Sequence, residues 1–105
     1  PLSPTSFLLS LRTMFDKDRA AGLAMRVGFK FPDVSLVADL KDGAMAVSRT
    51  DADGCQVVFH APDGPALAGA FYVGMPLADV GIRLDGDPEL AERFMDIFEL
   101  PEKIG

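Results

Sequence analysis

The chain is poor in reactive side chains and in positive charge. Its 105 residues include one cysteine, Cys55, so an intrachain disulfide and a thiolate metal cluster are both excluded. His60 is the sole histidine; a single imidazole at a strand end suits a polar edge position better than a general base. Ser3, Ser6, Ser10, Ser35 and Ser48 lack the context of a nucleophile elbow. Gly64, Gly69 and Gly74 follow no phosphate-loop spacing. Basic residues number 10 against 16 acidic ones, a net charge of −6, which repels nucleic-acid backbones and anionic lipid heads. No apolar run approaches the ~18 residues of a membrane span, and the start lacks the cationic segment of a signal peptide. Opening on Pro1-Leu2-Ser3-Pro4, the chain reads as a single domain cut from a longer cytoplasmic protein.

Apolar chemistry is plentiful. Hydrophobic residues make up 49%, and a mean hydropathy of +0.20 is high for a domain this small. That excess points to a lined cavity or a subunit interface, or else to an aliphatic core. Five methionines and eight phenylalanines stand beside Tyr72. Thioethers and aromatic walls suit a pocket for varied apolar ligands. The expected lining is Met14, Phe15, Met25, Phe29, Phe71, Tyr72, Met75 and Phe98, although the same side chains equally suit a plain core.

Periodicity gives the elements. Ser3 caps and Pro4 opens a helix whose stripe is Phe7, Leu8, Leu11, Met14 and Phe15, ending near Asp16. Strands follow at Leu23–Phe31, Ser35–Leu40, Met45–Val47 and Val57–Phe59, joined by turns at Pro32-Asp33, Asp42-Gly43 and Asp51–Gly54, as a β-meander. A short helix carries Leu67, Ala70 and Phe71, and Met75-Pro76-Leu77 links it to a fifth strand with Val80, Ile82 and Leu84. Asp87 and Pro88 start a last helix with Leu90, Phe94, Ile97 and Phe98 on one face, stopped by Pro101. The class is α+β: about five strands in a mixed, mainly antiparallel sheet covered by the N- and C-terminal helices. Leu36, Leu40, Met45, Val47, Val57, Phe59, Ile82, Leu84, Phe94 and Phe98 should be buried together. Asp51-Ala52-Asp53-Gly54 opens like a calcium loop but has its glycine too early and no distal Glu, and Asp85-Gly86-Asp87 reads as turn plus cap, so neither a metal nor a cofactor is expected.

Three strings occur in a telling order. Leu36-Val37-Ala38-Asp39-Leu40-Lys41-Asp42-Gly43 is a strand entering an Asp-Gly turn; Gly74 with Pro76-Leu77 forms Gly-x-Pro-Leu; Ile82-Arg83-Leu84-Asp85-Gly86-Asp87 precedes Leu90, Phe94, Phe98, Leu100 and Pro101. Together they resemble the sterol carrier protein type 2-like domain family over nearly the whole chain, with a shorter stretch between Leu77 and Ile82. The opening Ser3 to Asp16 resembles the segment after the DNA-binding domain in HxlR-type winged-helix regulators that carry this domain at the C-terminus. The resemblance implies a helix-covered sheet, an apolar tunnel in lipid-carrying members, and no catalytic residues. It leads to a C-terminal effector-sensing or dimerisation domain of a regulator, whose partner is a small hydrophobic molecule or a second subunit and which is not itself an enzyme. The alternatives are a free-standing lipid or sterol carrier and an accessory domain of an enzyme.

Any DNA contact would then fall to a separate, basic domain. With a charge of −6 the chain alone lacks a counterion-release drive, so no shift of duplex DNA is expected in a low-salt gel assay; a tight, salt-sensitive shift would contradict this.

Overall fold

The computed structural model describes residues 3–98. Pro101, the expected stop of the last helix, and Leu100, part of the closing string, lie outside them.

Ser3 caps α1 (Pro4–Thr13) by accepting the Ser6 N–H at 3.1 Å, with Pro4 where a missing N–H costs nothing. The helix ends earlier than its apolar stripe, because Phe15 leaves it to form a bridge with Phe98 and the Asp16 N–H donates to the Ile97 carbonyl at 2.8 Å. Strands β1 (Met25–Lys30), β2 (Ser35–Lys41) and β3 (Ala44–Ser48) form an antiparallel meander. The Asp42-Gly43 turn between the last two has φ of 53° and 72°, the primed geometry that fits strand twist. After β4 (Val57–His60), Asp63 caps α2 (Gly64–Ala68), which widens into a π-turn at Gly69–Val73. A 3₁₀ turn at Leu77–Val80 precedes β5 (Arg83–Gly86), so neither Val80 nor Ile82 is part of the strand as their alternation suggested. Asp87 caps α3 (Pro88–Asp96).

The sheet is five-stranded and mixed, in the order β3-β2-β1-β4-β5. The four-strand meander expected from sequence does not form: β4 does not pair with β3 but crosses to lie parallel to β1, and β5 is antiparallel to β4. The segment Arg49–Gln56 makes the crossing. Gln56 fastens its end to β1, accepting the Arg26 N–H on its side-chain carbonyl at 2.8 Å while its own N–H donates to the Arg26 carbonyl. Ala52 lies over Gly28 and is 2% exposed. This buries a small second patch, Gly28, Val37 and Ala52, on the face away from the helices.

The main core lies between the sheet and the helices. It takes inward residues of β1 to β4: Met25, Val27 and Phe29; Leu36, Ala38 and Leu40; Met45; Val57 and Phe59. Val47 and Leu84, expected beside them, are half-buried because each sits on an edge strand with a neighbour on one side.

Gly28 is where the crossing loop meets the sheet. A Cβ there would stand 2.5 Å from the Ala52 Cβ, inside van der Waals contact. Gly28→Ala should therefore cost about 1–3 kcal/mol in chemical denaturation through overpacking, and Ala52→Gly in the same chain should recover part of it. Equal stability of Gly28→Ala and the wild type would show that the loop does not bear on the strand.

Candidate functional site

Six phenylalanines fill the layer between sheet and helices. Phe71 touches five of the other rings: Phe7 at 5.7 Å, Phe59 at 5.6 Å, Phe98 at 5.9 Å, Phe94 at 6.1 Å and Phe29 at 6.4 Å between centroids. Phe29 and Phe59 stack at 5.4 Å across the parallel strand pair. Tyr72, next along the π-turn, is half-buried; its hydroxyl is 2.5 Å from that of Ser10 on α1, and its ring is 5.5 Å from Phe7.

The concave site lies where this aromatic packing ends. A groove of about 1170 Å³ opens between the C-terminal ends of α1 and α3 and the Arg19–Leu23 turn. Its apolar lining is Met14, Ala21, Leu23, Met95, Ile97 and Phe98, with Arg19, Arg93 and Asp96 as the charged groups. The turn is held by the Asp16 carboxylate, which accepts the N–H groups of Asp18 and Arg19 at 2.9 and 3.2 Å. Arg19 is fixed in turn, 3.4 Å from Asp16 and donating to the Asp96 carbonyl at 3.2 Å.

The eight residues expected to line one pocket do not share a single space. Met14 and Phe98 line the groove, and Phe15 adjoins it through its bridge to Phe98. Met25, Phe29 and Phe71 are buried in the core. Tyr72 is spent on Ser10, and Met75 is 41% exposed after the π-turn. The groove instead recruits Arg19, Leu23, Arg93, Met95 and Ile97, which sequence reading did not single out as ligand contacts. Ile97 carried a sequence signal as part of the closing apolar face, Met95 as one of the five methionines and Leu23 as the start of an apolar strand row; the arginines carried none.

Groups suited to covalent or metal chemistry are dispersed. His60 Nε2 lies 2.6 Å from an Asp85 carboxylate oxygen on the neighbouring strand, and Arg83 is 3.6 Å from the same oxygen. Cys55 is half-buried; burial pushes its thiol above the usual range, Arg26 opposes the shift, and Asp39, Asp51 and Asp53 add to it. That keeps the sulfur protonated and unreactive at neutral pH. The Asp51 carboxylate accepts the Asp53 N–H at 3.2 Å, closing its own turn. Among the described residues no three metal-ligating side chains converge, and no helix is long and apolar enough to cross a membrane.

No family model matches the chain, and no curated protein matches it. Solved structures do. The stereoselective inverting sec-alkylsulfatase Pisa1 from Pseudomonas sp. is similar at 19% identity with a TM-score of 0.83, over 96% of this chain. The chain spans 17% of that enzyme's length. Palmitated SCP2L2 from Aedes aegypti is similar at 18% identity and a TM-score of 0.71, covering 96% of this chain and 99% of that one. The sterol carrier protein domain 2 of Helicoverpa armigera is similar at 15% identity and a TM-score of 0.65, over 88% and 81%. At these identities the likeness is one of fold: the chain has the architecture of sterol carrier protein 2-like domains.

The Ser10–Tyr72 contact ties α1 to the π-turn across 62 residues. Tyr72→Phe and Ser10→Ala should each lower stability by about 0.5–1.5 kcal/mol, and the double variant should lose clearly less than the sum of the two. Strict additivity in denaturant titrations would mean that the two hydroxyls do not interact.

Proposed function

We propose that this chain is a binding module for an amphipathic small molecule with an alkyl tail and an anionic head, and that the groove at the ends of α1 and α3 is its site. The observation that carries this is the pairing of six apolar side chains with two arginines in one concavity. Methionine thioethers at Met14 and Met95 adapt to chains of different shape, and guanidinium groups suit a carboxylate or sulfate head. The shared fold with a palmitated protein supports the ligand class. The module binds without catalysing.

A second reading, an accessory domain joined to an enzyme, is favoured by the coverage of the sulfatase match, which confines the likeness to a minor part of a longer enzyme. The regulator reading rests on the opening segment Ser3 to Asp16; none of the structures named above is a transcriptional regulator. The reading frame around the chain separates them: a winged helix upstream supports the regulator, a catalytic domain the accessory role.

Titration with a fluorescent fatty-acyl probe tests the binding reading. Saturable binding at micromolar probe is expected. Met95→Glu, which puts an acid in the groove, should weaken it about tenfold or more, equivalent to about 1.4 kcal/mol, without shifting the unfolding midpoint much. Arg93→Glu should weaken an anionic probe more than its alcohol analogue. Absence of saturable binding, or equal binding by both variants, would remove the groove as the site.

A further inference from the structure

The two edges of the sheet differ in kind. β5, the strand Arg83-Leu84-Asp85-Gly86, is short and carries two exposed charges. β3, Ala44-Met45-Ala46-Val47-Ser48, has no charge and no proline, and its register with β2 runs without a bulge from Lys41↔Ala44 to Val37↔Ser48. Those are the devices by which edge strands avoid pairing, and β3 lacks them. Among the described residues no strand pairs with its outer side.

The hairpin fixes which groups point outward. A two-residue turn makes Lys41 and Ala44 a hydrogen-bonded pair, and alternation then makes Asp39↔Ala46 and Val37↔Ser48 hydrogen-bonded pairs as well. The N–H and C=O groups of Ala44, Ala46 and Ser48 are thus turned to β2, while those of Met45 and Val47 face the free edge.

We propose that a second copy of this chain docks on this edge, its β3 antiparallel to the first about a twofold axis through Ala46, so that the two five-stranded sheets become one. In this register Met45 of each copy lies opposite Val47 of the other, and each pair exchanges both of its bonds, which satisfies all four outward groups of each strand. On the outer face Ala46 meets Ala46 and Ala44 meets Ser48, small side chains that pass without clash. On the helix side the half-buried Val47 gains Met45 of the other copy as a neighbour. The same register sets Arg49 of each copy level with the Asp42-Gly43 tip of the other, giving an opposite-charge pair at both ends. Leu9, 44% exposed, sits on α1, the helix packed against β3, and is turned away from Phe7, Leu8 and Leu11. The contact is isologous and closes on itself, and the charged β5 edges at the far ends keep the joined sheet from growing. The −6 charge of each copy opposes docking, so association depends on concentration.

Sedimentation of the chain from micromolar to near-millimolar concentration should show a reversible monomer–dimer equilibrium. Ala46 is exposed and its substitution leaves the core untouched. Ala46→Lys and Ala46→Asp, each placing like charges across the axis, should each weaken association about tenfold or more, and an equimolar mixture of the two should restore it as a heterodimer. Circular dichroism unchanged in both variants checks the fold. A wild type that stays monomeric throughout, or dimers that neither substitution weakens, would overturn the proposal. Because the groove is not involved, these outcomes are independent of whether the acyl probe binds.

Discussion

Phe71 is the constraint on which the rest of the molecule depends. It is 2% exposed and touches rings contributed by α1, by β1, by β4, by α3 and by Phe98, just after α3. Edge-to-face aromatic contacts contribute about 0.5–1.5 kcal/mol each beyond their buried area, so one side chain couples elements that local propensity alone would leave independent. It also decides where a ligand has room. With rings filling the layer between sheet and helices, the accessible concavity is displaced to the end of the helices, where Phe98 still touches Phe71 and Phe94 on one side and lines the groove on the other.

The π-turn makes this arrangement possible. α2 is only Gly64–Ala68, too short to persist on its own. Its continuation as a wider turn, closed by the Gly74 N–H on the Gly69 carbonyl, lets successive residues serve different partners: Phe71 enters the aromatic layer and Tyr72 reaches Ser10. A departure of this kind from regular helix geometry is common where side chains must be aimed. Here what it aims is packing, and the groove inherits its position from that packing.

Much of this could be read from the residues. Period two assigned the inward rows of β1 and β2 correctly, and Ser3-Pro4, Asp42-Gly43 and Asp87-Pro88 marked their helix starts and hairpin because each works through its nearest neighbours. What depends on distant parts of the chain did not show. Asp51–Gly54 has the composition of a hairpin turn, yet its Ala52 is carried over the sheet onto Gly28, and the glycine inside a strand was the available sign of that close approach. The methionines divide likewise: Met25 and Met45 are buried while Met14 and Met95 line the groove, a distinction set by which helix ends meet rather than by residue type.

Net charge and local charge lead to different partners. The chain as a whole carries −6, which argues against phosphate backbones, but that field is screened within about 8–10 Å at physiological salt. Inside the groove the charged groups are Arg19, Arg93 and Asp96, and Arg19 shares its charge with Asp16 at 3.4 Å, so the local charge is close to balanced instead of strongly negative. Arg19 is held in place by Asp16 and by the Asp96 carbonyl, so its guanidinium is pre-positioned instead of being ordered at the moment of binding. A ligand small enough to enter the groove meets that local balance, whereas a polyanion spanning tens of ångströms meets the global charge. On the proposed reading, an acidic domain can in this way admit a single anionic head group on an apolar tail while its overall charge disfavours nucleic acid.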